Sequence, residues 1–90
     1  MNVMAEFESI MEGMERSQRE KKTDVVKTLS KGYVLVDTCY TIYHGYETMV
    51  FKCDSKGKVK KWNELDSEWY DTWEEALKGH DHMRSEWAER

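Results

Sequence analysis

The sequence predicts a single α+β domain, in which a three- or four-stranded antiparallel sheet packs against a C-terminal helix. Two turns and one helix start carry this prediction. His44 and Gly45 separate two runs in which apolar and polar residues alternate, and a second glycine-containing turn follows the later run. Thr72 is followed three residues later by Glu75, the pattern of a capping box at a helix N-terminus. A chain of 90 residues has room for one such domain.

The predicted elements follow one another without long linkers. Residues 1–22 indicate an amphipathic helix, and residues 23–90 the hairpin-plus-helix domain. Residues 23–30 fit a short strand or a short helix, and the strand is the preferred interpretation. A third strand is predicted over residues 58–63, followed by a polar loop and a short extended segment at residues 69–71.

Both predicted helices carry an apolar stripe at helical spacing. In the C-terminal helix this stripe consists of Trp73, Ala76 or Leu77, His80, Met83 or Arg84, and Trp87. Gly79 lies within the same helix and suggests a close approach to the sheet. In the N-terminal helix the stripe is rich in methionine, which packs adaptably, and its candidate contact residues are Met4, Phe7, Met11 and Met14. The N-terminal helix either docks on its own sheet or serves self-association or a partner protein.

The central hairpin predicts two unequal faces. A two-residue loop places Tyr43 opposite Tyr46 and Asp37 opposite Lys52. One face is then largely apolar and is the predicted core: Val34, Val36, Thr38, Tyr40, Ile42, Met49, Phe51 and Cys53. The other face is mixed and is the predicted binding face, with a histidine added if the C-terminal helix covers it: Tyr33, Asp37, Cys39, Tyr43, Tyr46 and His80.

The cysteines and histidines form no recognisable catalytic or metal site. In the predicted register, Cys39 and Cys53 lie on opposite faces and three residue pairs apart, which disfavours a disulfide. His80 and His82 are two residues apart on a helix, so their rings point about 200° apart and cannot share a metal ion. His80 is therefore interpreted first as a buried core residue. There is no phosphate loop or nucleophile elbow, so neither an enzyme nor a cofactor is predicted.

Composition narrows the classes of partner. The net charge of −4 disfavours binding to nucleic acid, which requires a basic surface. Lys56, Lys58, Lys60 and Lys61 cluster near the second turn, where lysines protect an edge strand more often than they bind phosphate. No apolar run is long enough to span a bilayer, and no export signal is recognisable. Free thiols in a reducing cytosol are expected.

Two segments of the chain resemble segments of other proteins. They are YETMVF at residues 46–51 and YDTWEEALKGH at residues 70–80. Both are similar to segments of small uncharacterised proteins of tailed bacteriophages, which carry a GYETMVF strand and a YxTxEEAxxGH helix start. The resemblance extends over residues 33–87 and supplies no catalytic residues. It implies an accessory protein in the cytoplasm of a bacterial host, or a protein associated with the virion.

Three hypotheses about function follow. The leading one is binding to a host or phage protein, for instance to inhibit or modulate a host enzyme or defence system. An alternative is a structural or assembly component of the virion that forms a homo-oligomer through the N-terminal helix. A third is a small-ligand or nucleotide-binding module that uses Tyr33, Asp37, Tyr43 and His80.

Overall fold

The computed structural model describes residues 20–42 and 44–90. The bounds of the elements are Lys21–Lys27 for β1, Tyr33–Thr41 for β2, Gly45–Cys53 for β3, Val59–Tyr70 for β4 and Trp73–Ala88 for the helix α1. The four strands form one antiparallel sheet in the order β1-β2-β3-β4, and α1 contacts all four strands. The predicted α+β architecture with a C-terminal helix is confirmed. The N-terminal helix predicted over residues 1–22 lies, up to residue 19, outside the described residues. Its predicted end is wrong, because Lys21 and Lys22 belong to β1.

The segment before the first turn is a strand, as preferred from the sequence. It pairs with β2 along its whole length. Thr28 closes the connection, because its hydroxyl donates to the carbonyl of Gly32 and accepts from the amide of Lys31, both at 2.8 Å. Gly32 has a φ of +74°, which glycine adopts without the strain that a side chain would cause. This turn holds β1 as one edge of the sheet.

The hairpin between β2 and β3 is shifted by three residues from the predicted register. Thr41 pairs with Gly45 across a three-residue loop, so the predicted two-residue loop and the pair of Tyr43 with Tyr46 are wrong. The Thr41 side chain explains the longer loop. Its hydroxyl donates to the Gly45 carbonyl at 3.0 Å and accepts from the His44 amide at 3.1 Å. Gly45, with φ +76°, is the first residue of β3 and not the end of the loop.

An odd shift in register exchanges the two faces of one strand. The face towards α1 carries Val34, Val36, Thr38, Tyr46, Thr48 and Val50. The prediction is therefore confirmed for the core side chains of β2 up to residue 38. It is wrong about the face on which Met49, Phe51 and Cys53 of β3 lie, although Phe51 and Cys53 are buried as predicted. Those three lie on the opposite side, here called the outer face, together with Tyr33, Leu35, Asp37, Cys39 and Glu47. Phe51 is buried there against the edge of the Trp62 ring, and Ile42 is exposed at the loop.

The strand β4 is one long edge strand. The loop predicted over residues 64–68 is wrong, because these residues continue to pair with β3 as far as Tyr70. Their polar side chains are compatible with an edge strand that faces water. The pairing is irregular near its start: Val59 is opposite Cys53 and Glu64 is opposite Phe51, so five residue steps on β4 match two on β3. Residues 60–63 therefore bow away from the sheet as a bulge.

The helix α1 begins as its sequence predicts. Thr72 is the N-cap, and its hydroxyl accepts from the amide of Glu75 at 3.1 Å. Two acidic residues in the first turn complement the positive end of the helix dipole. The predicted apolar stripe is confirmed, because the residues of α1 that are buried are Ala76, His80, Met83 and Trp87. Together with β1, β2 and β3 this stripe forms the main core cluster, which comprises Val26, Val34, Val36, Val50, Met83 and Trp87.

Gly79 provides the close approach that its position suggests. A Cβ atom at this residue would lie 2.0 Å from the Cζ atom of Tyr70, well inside van der Waals contact. Burial, together with the nearby carboxylates of Glu68 and Asp66, raises the pKa of Tyr70. The packing of α1 against the end of β4 therefore depends on the absence of a side chain at this position.

The variant Gly79→Ala should be less stable than the native chain by about 1–2 kcal/mol, because the Tyr70 ring must move. In the background Tyr70→Ala, the same substitution should instead stabilise the protein by about 1 kcal/mol, since alanine is the better helix former. Urea unfolding of the four proteins measures both effects. The same sign in both backgrounds would show that the Tyr70 contact is not what requires glycine.

Candidate functional site

A chain of buried polar groups connects α1 to the sheet. The Nε2 atom of His80 lies 2.7 Å from Oδ2 of Asp24 on β1. Its Nδ1 atom lies 2.6 Å from the hydroxyl of Thr38, which lies 2.6 Å from the hydroxyl of Thr48. His80, Thr38 and Thr48 are each 0% exposed. We refer to these four residues as the polar chain.

The hydrogen-bond partners favour one arrangement of protons in the polar chain. If Nε2 of His80 carries the proton, it donates to Asp24, and Nδ1 accepts from Thr38. The Thr38 oxygen then accepts from Thr48, so every polar hydrogen has an acceptor. A doubly protonated ring would donate to Thr38 and reverse this order, leaving the Thr48 hydrogen to find another acceptor. The neutral ring is thus fully satisfied by the partners that surround it.

The order carboxylate, imidazole, hydroxyl resembles the relay of hydrolytic enzymes. In such a relay the hydroxyl oxygen must be open to substrate. Here both hydroxyls are fully buried between the sheet and α1, so a substrate reaches them only if the helix moves away. In this conformation the polar chain can specify how α1 docks, but it offers no reactive group to solvent.

The carboxylate end of the polar chain reaches the surface. The Asp24 side chain is one-third exposed, and the Nε atom of Arg84 lies 3.8 Å from its Oδ2. Arg84 and Lys22 also form ion pairs with Asp81, at 3.5 Å and 3.4 Å. These pairs face water, where each contributes at most about 1 kcal/mol. The pairs of Arg84 with Asp24 and of Lys22 with Asp81 join α1 to β1.

The structure separates the residues of the predicted binding face. Tyr33, Asp37 and Cys39 lie on the outer face, whereas Tyr46 lies on the face towards α1. Tyr43 lies outside the described residues. The shift in register separates Tyr46 from the others, because it moves β3 relative to β2 by an odd number of residues. His80 is separated from them because α1 covers the opposite face of the sheet and not the predicted binding face.

The predicted pair of Asp37 with Lys52 is also wrong. Asp37 is opposite Met49, and its carboxylate accepts from the hydroxyl of Thr23 at 2.7 Å. Lys52 is opposite Val34, and its ammonium donates to a backbone carbonyl in the β1–β2 loop. Asp37 is therefore satisfied by β1 and not by β3.

The cysteines are free thiols on the same face. Cys53 is opposite Tyr33, six residues along β2 from Cys39, so the thiols are about 20 Å apart. The prediction of opposite faces is wrong, and it is this separation that precludes a disulfide between them. Burial raises the pKa of Cys39, and the carboxylates of Asp37 and Glu47 add to this effect against the opposing charge of nearby Lys21. Burial also raises the pKa of Cys53. Both thiols are thus weak nucleophiles near neutral pH.

Large apolar side chains are exposed along β4. Trp62 is 67% exposed, Leu65 47% and Trp69 59%. Trp69 is nonetheless held in place by two contacts. Its ring stacks on the ring of His44, with 4.9 Å between the ring centroids, and its Nε1 donates to the carboxylate of Glu47. A groove of about 350 Å³ next to it is lined by Ser67, Glu68 and Trp69. This surface is not predicted from the sequence, because most of it lies in the segment predicted as a loop, although Trp62 and Trp69 flank that segment.

A second groove lies where β4 bows away from β3. Its volume is about 450 Å³. We call it the lysine groove, and it is lined by Lys52, Cys53, Asp54, Lys58, Lys60, Lys61, Asn63 and Leu65. It holds three of the four lysines noted in the sequence, and Lys52 of β3 joins them. This groove and the exposed aromatic side chains of β4 are the candidate binding sites on the described surface.

Neither a metal site nor a membrane-spanning helix is found in the described residues. In residues 20–42 and 44–90, no three His, Cys, Asp or Glu side chains are grouped so as to hold a metal ion. Within the same residues, no helix combines the length and apolarity that crossing a membrane requires. No protein-family model, curated protein or solved structure matches the chain.

Proposed function

We propose that this chain is a small bacteriophage accessory protein that acts by binding another protein, of the host or of the phage, in the host cytoplasm. The observation that carries the proposal is Trp69, a largely exposed aromatic side chain fixed in orientation on an edge strand. Tryptophan is strongly enriched among the residues that dominate binding energy at protein interfaces. A ring that is already held in place loses little conformational freedom when a partner covers it. The viral setting rests on the resemblance of residues 46–51 and 70–80 to phage proteins.

The edge of β4 supplies the backbone part of the proposed interface. In the described sheet, β4 pairs with β3 on one side and with no strand on the other. The open edge of a strand presents N–H and C=O groups to which an extended segment of a partner can add as a further strand. The bulge at residues 60–63 disrupts this edge, whereas residues 66–70 pair with β3 without a shift. We therefore place the added strand beside the regular end of β4.

The charges at this end define the partner. Residues 64–70 contain Glu64, Asp66 and Glu68 and no lysine or arginine. Glu47 lies next to Trp69 on the same face. An arginine side chain can stack on an indole ring and pair with a carboxylate at the same time. The proposed partner is thus an extended segment that carries arginine, bound over Trp69 and the groove beside it.

The proposal predicts that Trp69→Ala weakens binding to a short peptide of alternating arginine and threonine by at least about tenfold. The matched control is Trp62→Ala, which removes an exposed tryptophan from the other half of the same strand and should leave affinity nearly unchanged. Isothermal titration gives the affinities, and shifts of the amide signals of residues 67–70 in NMR spectra locate the site. Glu68→Lys should also weaken binding.

A peptide in which glutamate replaces arginine tests the charge preference. It should bind much more weakly than the arginine peptide, and the difference should shrink as salt is added. Equal binding of the two peptides, or equal effects of the Trp69 and Trp62 substitutions, would refute the proposed docking site.

A further inference from the structure

We propose that the lysine groove is a binding site for a small organic anion that has an apolar body. This site is separate from the proposed docking surface, which lies at the other end of β4. Three independent properties carry the inference: the way in which the groove is built, its excess of positive charge, and its apolar interior.

The groove is built by an irregularity in the sheet. Five residue steps on β4 match two on β3 between the pairs Val59–Cys53 and Glu64–Phe51, and the surplus residues open a gap beside β3. Bulges of this kind are over-represented next to functional sites. The turn below the gap is fixed, because the Asp54 carboxylate accepts from the amides of two residues of the turn, each at 2.9 Å. These backbone hydrogen bonds lower the pKa of Asp54. The opening is therefore held by the backbone.

The groove has an excess of positive charge. Four of the eight residues that line it are lysines, and Asp54 is the one acid among them. The Asp54 carboxylate accepts from the amides of its own turn and lies near Lys58 and Lys60, so it offsets only part of the positive charge. In the described part of the chain, none of the four lysines forms an ion pair, in contrast to Lys22 and Lys78 elsewhere on the surface. The ammonium of Lys52 donates to the Lys31 carbonyl, so the groups available to a ligand are those of Lys58, Lys60 and Lys61. In a chain of net charge −4, their concentration favours a negatively charged ligand.

The interior of the groove is apolar, so a ligand that fills it needs an apolar part in addition to its negative charge. Its walls include the side chain of Leu65 and the buried side chain of Cys53. Lysine side chains contribute their apolar stems to such walls while their ammonium groups stay at the rim. A volume of about 450 Å³ falls within the range of sites for small organic ligands. The ligand that fits has an anionic head at the rim and an aromatic or aliphatic body inside.

The test uses three probes of graded chemistry: 1-naphthyl phosphate, neutral 1-naphthol and inorganic phosphate. In NMR titrations of the full chain, 1-naphthyl phosphate should shift the amide signals of Cys53, Asn63 and Leu65 saturably. The other two probes should bind at least about fivefold more weakly, because each lacks one half of the recognised chemistry. The double variant Lys58→Gln/Lys60→Gln should weaken binding of 1-naphthyl phosphate by about five- to tenfold.

The matched control is Lys21→Gln/Lys78→Gln, which removes the same amount of charge from two exposed lysines outside the groove. It should leave the affinity within about twofold of the native value. Absence of a saturable shift at the groove, equal binding of 1-naphthol, or equal effects of the two double variants would each overturn the inference. Because Trp69 is not in the groove, Trp69→Ala should leave binding of 1-naphthyl phosphate unchanged, which keeps this result independent of peptide binding.

Discussion

The variant His80→Ala should lose about 4 kcal/mol of unfolding free energy, which is at least about a quarter of the total of about 5–15 kcal/mol for a marginally stable domain. The substitution leaves a cavity at a fully buried site and strips Asp24 and Thr38 of their partner. The milder variant Asp24→Asn keeps an acceptor for Nε2 and removes only its charge, so a loss of about 1 kcal/mol is expected. Urea unfolding followed by circular dichroism measures both. A loss below about 1 kcal/mol for His80→Ala would contradict the role given to the polar chain.

The two threonines allow a sharper test of the same chain. Thr38→Val alone deprives His80 Nδ1 of its donor and the Thr48 hydroxyl of its acceptor, at an expected cost of about 3 kcal/mol. In the double variant Thr38→Val/Thr48→Val, only the histidine nitrogen remains unsatisfied. The double variant should therefore be about 1 kcal/mol more stable than Thr38→Val. If the loss of stability in the double variant equals the sum of the losses measured for Thr38→Val and for Thr48→Val, the two hydroxyls are not coupled.

The variant Trp87→Ala should cost about 4 kcal/mol, because this side chain is 4% exposed and belongs to the main core cluster. Its Nε1 atom also donates to Asp66 on β4 at 3.1 Å, and the guanidinium of Arg90 lies 4.2 Å from the centre of its ring. Trp87→Phe keeps most of the apolar area and loses the hydrogen bond, so it should cost about 1–2 kcal/mol. The C-terminal end of α1 is thus held to β4 by Trp87, and the middle of α1 is held to β1 by His80.

The control for this series is Trp62→Ala, at an exposed position of β4, which should cost about 1 kcal/mol or less. Unfolding is again followed by circular dichroism, since the fluorescence of the chain changes with each tryptophan removed. Similar losses for Trp87→Ala and Trp62→Ala would mean that Trp87 does not anchor the helix.

The elements that the sequence predicts well are those governed by local chemistry. Thr72 and Glu75 define the start of α1, and helical spacing identifies its buried stripe. Gly79 is correctly associated with close packing, because few other roles explain a glycine inside a helix. Register is predicted less well. Thr41 uses its side chain to close a three-residue loop, and nothing in the spacing of apolar residues distinguishes this from a two-residue loop.

The candidate sites show the same limit more strongly. Asp24 and His80 are 56 residues apart in the chain, and their contact exists only once β1 lies beside β2 and α1 crosses both. The sequence could suggest that His80 is buried, but not which carboxylate it meets. The exposed part of β4 was beyond prediction for another reason. Apart from Leu65, residues 64–68 are polar, and a strand with that composition has the same appearance as a loop until its pairing partner is known.

The order of the strands bears on how the molecule reaches its native state. Because each strand neighbours the next in sequence, the sheet can grow by closing one short hairpin after another, and short loops close at low entropic cost. Contacts between α1 and β1 join the two ends of the described chain, and we expect them to form late. We expect the hydroxyls of Thr38 and Thr48 to stay hydrated until α1 docks and His80 replaces this water. Interactions that form after the main barrier act on the rate of unfolding more than on the rate of folding. We therefore expect substitutions in the polar chain to change the rate of unfolding more than the rate of folding, and substitutions in the hairpins to change the rate of folding.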